Sequence, residues 1–189
     1  MGISVMLTYL VPGLVVIGLL VIAVAALIAT RPGELHVSRS ASIQAPPAEI
    51  FEQVNDFHRW VDWSPYDKRD PAMKKSYDGP PSGVGASYSW NGNHEVGEGR
   101  STITDSRPHE LIRIRLEFKR PFAGVNTAEF TFIPEGTATR TTWTLLAKSN
   151  FMSKAVGLFI NMDKMIGGDF EAGLANLKRV VESRAKQPA

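Results

Sequence analysis

The chain has 189 residues, 43% of them hydrophobic and 21% charged, with a formal net charge of +2. That is room for one ordinary domain with a core plus a short appendage. The near balance of charge, with no dense Lys/Arg run interleaved with aromatics, argues against nucleic-acid binding. The lack of any cysteine excludes disulfides, thiol nucleophiles and zinc-ribbon sites.

No charged side chain precedes Arg31, and Val5 to Ala29 is almost wholly apolar. As a helix, residues 5–29 would rise about 37 Å, enough to cross a hydrocarbon core of about 30 Å. A cleaved signal peptide is the competing reading. It fits less well, because no Lys or Arg opens the segment and the apolar run exceeds the usual length of about 7–15 residues. Ala23-Val24-Ala25 has a small-x-small pattern but lies inside the run. An apolar surface all round, with no polar stripe, also disfavours a buried core helix. The expectation is a single-pass anchor over residues 1–30, touching the membrane through residues 5–29. Arg31 and Arg39 follow the span and nothing basic precedes it, so the positive-inside rule leans towards a cytoplasmic soluble part.

Arg31-Pro32-Gly33 breaks the helix and serves as a linker, residues 31–33. The soluble domain is expected over 34–184, with 185–189 as a tail. Its first strand runs over about 35–43, where Leu35, Val37 and Ile43 share a face. Ala45-Pro46-Pro47-Ala48-Glu49 reads as a helix entry, leading to a short amphipathic piece that buries Ile50, Phe51 and Val54. Residues 57–71 are aromatic-rich but interrupted by Pro65 and Pro71, predicting a turn of helix and then loop.

Six strands are expected next, at about 72–77, 84–91, 97–106, 110–119, 125–134 and 137–147. The clearest alternates Ile112, Ile114, Leu116 and Phe118 with Arg113, Arg115 and Glu117, the pattern of a sheet with one wet and one buried face. From Met152 to about Arg184 the period becomes helical. Val156, Phe159, Ile160, Asp163, Ile166, Phe170, Leu174, Leu177 and Val181 form one stripe. Gly157, Gly167, Gly168 and Gly173 each cost about 1 kcal/mol inside a helix. The Gly167-Gly168 pair therefore predicts a bend or a close backbone approach. The sheet needs a cover for its apolar face, and only this last helix is long enough.

That order and its landmarks resemble the START-like superfamily, also called SRPBCC or helix-grip, and within it the polyketide cyclase/dehydrase and lipid-transport branch. The resemblance rests on Ile43-x-Ala45-Pro46 with Ile50-Phe51, on Trp60-x-x-Trp63-Ser64-Pro65, and on the run from Met162 to Lys178. It implies an α+β helix-grip fold, a curved antiparallel sheet of about seven strands around a long C-terminal helix; the expected N-terminal transmembrane helix that precedes it here is an addition to that fold. It also implies a hydrophobic small molecule held between sheet and helix. Some members are cyclases, others carriers or parts of regulatory systems.

Candidate ligand-lining residues are Trp60, Trp63, Tyr88, Trp90, Ser101, Phe130, Phe132, Trp143, Phe159, Ile166 and Phe170. Aromatics on a buried sheet face ordinarily pack as core. What raises a pocket is the strand from Gly97, where Gly97, Gly99 and Ser101 share a face with Ile103 and leave little side-chain volume. A bulge at those glycines is the competing reading.

Catalytic residues are not identifiable from the sequence. There is no Gly-x-Ser-x-Gly elbow, phosphate loop or His-Glu-x-x-His, and Gly83-Val84-Gly85 precedes a strand and reads as a turn. His94, Glu95 and Glu98 fall in a Gly/Asn-rich hairpin, so no metal and no cofactor is expected. Glu98, Arg100, Asp105 and Tyr88 are the polar groups a cyclase would draw on, and simple alternation puts Glu98 and Arg100 on the wet face. The expectation is a membrane-anchored binding domain rather than an enzyme. A cyclase/dehydratase and a regulatory protein-interaction module are the alternatives.

Overall fold

The structure, a computed structural model, describes residues 2–149 and 151–184. The expected tail at 185–189 lies outside the described residues. The chain forms two compact units: the segment up to Gly33 with Ser149–Asn161, and Glu34–Lys148 with the chain from Met162 onward.

In the first unit, helix α1 (Gly2–Ala29) carries no acidic or basic residue in its end turns and contains Pro12. Its stretch Leu10–Ala29 is long and apolar enough to cross a membrane. It stops where Thr30 turns back, the hydroxyl donating to the Leu27 carbonyl at 2.8 Å, and Pro32-Gly33 follows. The same unit holds the short helix α5 (Phe151–Val156).

The continuous helix expected from Met152 is here corrected. It ends at Val156 and restarts at Met162. Gly157 weakens it, and the backbone then tightens, with the Leu158 amide on Ala155 and the Phe159 and Ile160 amides on Val156. Asn161, a residue type that favours the position before a helix, precedes the restart. Phe159 thus falls in a turn, 89% exposed, and is not part of the buried stripe.

The second unit is built on a curved seven-stranded antiparallel sheet. Its strands are β1 (Glu34–Ile43), β2 (Lys74–Asp78), β3 (Ser87–Asn91), β4 (Glu98–Arg107), β5 (Leu111–Arg120), β6 (Gly124–Glu135) and β7 (Ala138–Lys148). Their order across the sheet is β1-β7-β6-β5-β4-β3-β2. The alternation predicted for β5 is present: Ile112 and Ile114 are buried, while Arg113 lies outside against Glu129 at 2.8 Å. Register shifts in the β4–β5 pairing, between Glu98 and Gly99 and between Ile103 and Asp105, bend the sheet.

Helix α2 (Pro47–Asn55) starts on a proline and buries Ile50, Phe51 and Val54, together with Gln53. A 3-10 turn (Phe57–Arg59) and the short helices α3 (Trp60–Trp63) and α4 (Pro65–Arg69) follow. Helix α6 (Met162–Arg184) packs against β1, β7, α3 and α4. It buries Phe170, Leu174, Leu177 and Val181, residues worth about 1.5–3 kcal/mol each when fully removed from water.

The close approach predicted at Gly167 is made by Arg39. A Cβ there would run into the guanidinium, which reaches from β1 to Asp163 at 2.9 Å and Glu171 at 2.7 Å. Gly168 faces open space, and α6 continues through the pair.

Candidate functional site

The inner sheet face under α6 is filled by aromatic rings. The pairing register sets Phe130 of β6 opposite Trp143 of β7, and their rings stack at 4.8 Å. Phe170 of α6 lies nearly parallel to Trp143, 4.0 Å away with planes 8° apart. Trp60 and Trp63 close on Phe130 and Trp143 edge-on, at 5.7–6.4 Å. Helix α6 comes this near because Gly173 presents no side chain, and a Cβ there would sit 2.7 Å from Trp143 Cζ3.

Two of the three indole N–H groups in this cluster are satisfied. Trp60 Nε1 donates to the Val54 carbonyl at 3.0 Å, and Trp63 Nε1 to the Gln53 carbonyl at 3.2 Å. Trp143 Nε1, Thr141 Oγ1 and Gln53 Oε1 are buried without a hydrogen-bonding partner among the described residues. Such atoms are costly, and they mark where the interior would accept a polar group.

The volume that Gly99 leaves on β4 is taken by a side chain. Trp90 of β3 lies opposite Gly99, and a Cβ on Gly99 would be 2.5 Å from its Cζ2. The Trp90 N–H donates to the Val96 carbonyl at 3.0 Å, and Met73 and Val96 pack around the ring. Gly97 has φ +67° and precedes a register shift. The expected gap for a ligand is therefore corrected: Gly99 makes room for an indole, and Gly97 lies against the backbone of Arg120 and the ring of Pro121.

A cleft of about 240 Å³ opens at the end of β2 and β3, lined by Phe57, His58, Tyr77, Asp78, Gly79, Pro80, Pro81, Ala86 and Ser87. Tyr77 stands opposite Tyr88 in register. The rings His58, Tyr77, Tyr88 and Trp90 follow one another at 4.1, 5.5 and 5.7 Å. His58 is held by Asp56, whose Oδ1 accepts from the His58 amide and faces its Nδ1, each at 2.9 Å.

Phe57 meets Tyr88 at 5.9 Å and Trp60 at 5.1 Å, joining this cleft to the aromatic interior. Burial pushes the Tyr77 phenol up, with Asp56 adding to it, and burial also pushes Tyr88 up, with Tyr77 adding to it. Gly79, with φ +80°, shapes the rim; a Cβ there would run into the Gly85 carbonyl oxygen. Ser87 Oγ accepts from Arg100 at 2.6 Å and donates to the Asp78 carbonyl at 3.2 Å.

The structure divides the sequence-derived candidates. Trp60, Trp63, Phe130, Phe132, Trp143 and Phe170 are buried together, with Ile166 packed at the margin. Trp90 belongs to the smaller cluster, and Tyr88 touches both. Ser101 is buried opposite Tyr88, and Phe159 lies in the other unit.

The polar candidates do not converge. Tyr88 shares the inner face with Ser101, whereas Glu98 and Arg100 project from the outer face. There Glu98 pairs with Arg120 at 3.1 Å and Lys119 at 3.4 Å, which hold its carboxyl below the usual range. Arg100 pairs with Asp78, and Asp105 with Arg107 and Arg113. Among the described residues no group of three His, Asp or Glu side chains is placed to hold a metal. Phe57, His58, Tyr77 and Ser87 were not singled out by sequence reasoning. The signal was the density of rings in 57–66 together with Tyr77, which strand alternation places on the same face as Lys75.

Several solved structures share this architecture. A protein of unknown function from Staphylococcus aureus, SA2116, superposes with a TM-score of 0.59 at 12% identity, over 82% of this chain and 98% of that one. CV1439 from Chromobacterium violaceum gives 0.56 at 14% identity, over 80% and 99%. DynU16, from the dynemicin biosynthetic locus, gives 0.52 at 19% identity, over 78% and 47%. These likenesses concern the fold alone. No curated protein sequence matches the chain. Residues 34–182 match the family model described as polyketide cyclase / dehydrase and lipid transport, covering the sheet, the roofing helices and nearly all of α6. With its helix-grip sheet and closing helix, the chain belongs to that family.

Proposed function

We propose that this chain is a membrane-anchored binding domain for an apolar small molecule of lipid or polyketide-like class, with α1 as the anchor. The observation that carries the reading is the aromatic cleft at the end of β2 and β3, in a member of this family. Phe57, His58 and Tyr77 wall it, and it adjoins the aromatic interior through Phe57. At 240 Å³ it suits one ring or a short acyl segment, since sites for drug-sized ligands run from about 300 Å³. Affinity comes from apolar burial, about 25 cal/mol per Å². Orientation comes from the ring edge of His58, whose Nδ1 is already engaged by Asp56. Binding fits this geometry better than cyclase chemistry, because Tyr88 lies on the opposite face of the sheet from Glu98 and Arg100.

The test is a solvent extract of the purified full chain, analysed by mass spectrometry beside a Tyr77→Ala variant. An apolar compound carried by the wild type and depleted in the variant supports the proposal. Identical extracts from both proteins overturn this placement of the ligand.

A further inference from the structure

We infer that residues 151–160 form a second membrane contact, seated among lipid acyl chains beside α1. The inference rests on the reading of α1 as a membrane span. Leu20, Val21, Val24, Ala25 and Ile28 recur at the spacing of a single helical face, and together with Phe151 they line one apolar groove. At about 1.5 Å per residue, Leu20 to Ile28 covers about 12 Å of the helix axis. Any bilayer that takes this stretch into its hydrocarbon takes the Phe151 ring with it. The Ser149 amide donates to the Gly33 carbonyl at 2.9 Å, so the segment is also tied to the end of the anchor.

The exposure of the segment supports the same occupant. Phe151 is 58% exposed, Phe159 89% and Ile160 44%, a set that water would leave unfavourably hydrated and that a bilayer boundary covers. Lys154 is the one charge between Lys148 and Asp163, and its long stem lets the ammonium reach the headgroups while the carbon chain stays in the apolar layer. The segment is far shorter than the roughly 20 residues a span requires. It lies in the interface, where apolar faces sink about 5–10 Å into the headgroup–acyl boundary.

The chain has no cysteine, so single cysteines carry an environment-sensitive fluorophore without background. The full chain is reconstituted in phosphatidylcholine vesicles with label at Leu20→Cys, Phe159→Cys or Val84→Cys, and with lipids brominated high or deep on the acyl chain. The expected result is strong loss of emission at 20 and at 159, the latter greatest with the shallow quencher and reporting a depth of about 5–10 Å. Position 84, an exposed loop site of the sheet unit, serves as the reference against which both are compared. Quenching at 20 with none at 159 overturns the inference and leaves the span standing. No quenching at 20 overturns the span, and with it this inference.

Discussion

Two glycines of α6 are expected to respond differently to the same change. Gly168→Ala adds a methyl group that meets nothing within 4 Å, so only helix propensity acts, a gain of about 0.8–1 kcal/mol. Gly173→Ala gains the same propensity but sets its Cβ 2.7 Å from Trp143 Cζ3 and 3.2 Å from Pro65 Cδ. Trp143 cannot easily retreat, being held against Phe170 at 4.0 Å and Phe130 at 4.8 Å. Overpacking of this kind costs about 1–3 kcal/mol, so the net effect runs from neutral to about 2 kcal/mol of destabilisation.

All four tryptophans, Trp60, Trp63, Trp90 and Trp143, lie in the sheet unit, and thermal unfolding followed by their emission reports that unit alone. Gly168→Ala should raise Tm by about 2–4 °C and Gly173→Ala should fall below it by about 2–12 °C. A Gly173→Ala protein as stable as Gly168→Ala would mean that α6 does not close on the rings.

Other consequences follow from the same contacts. Burial holds the Tyr66 and Tyr88 phenols un-ionised beyond their ordinary range. A raised folded pKa gives stability that is complete below the unfolded value of about 10 and is lost as pH rises beyond it. Tyrosinate absorbance should therefore climb together with loss of native tryptophan emission, and ionisation of both phenols in a still-native protein would contradict it. Arg39 holds the Asp163 carboxyl below its ordinary range, so Arg39→Ala should move the Asp163 titration upward in a carboxyl NMR experiment. An unmoved titration would place that cause elsewhere. Tyr77→Ala, at a 38% exposed position on the edge strand, should weaken ligand binding about tenfold. Its melting temperature should stay close to that of the wild type, and a parallel loss of fold would show that Tyr77 serves packing.

Much of the architecture was legible because period and punctuation agree along the chain. Alternation from Leu111 to Phe118, the proline entry at 46–47 and the buried stripe from Phe170 to Val181 each specify one element and one face. The break at 157–161 was not legible as such, because Val156, Phe159 and Ile160 keep helical spacing while Gly157 and the following turn end the helix. Nor was the fate of the space beside Gly99. Missing side-chain volume on one strand says nothing of which neighbour fills it, and cross-strand register gives that place to Trp90. The cleft was the least legible, since Phe57 and His58 come from a 3-10 turn and Tyr77 from an edge strand. Their meeting depends on tertiary packing.

Photo-crosslinking of the full chain with a diazirine-bearing fatty acid, followed by peptide mapping, locates the bound apolar molecule on the chain. Adducts are expected within residues 57–58 and 77–87, lost when unlabelled fatty acid competes. Adducts confined to residues 2–29 and 151–160, with none at the cleft, would overturn the cleft as the binding site.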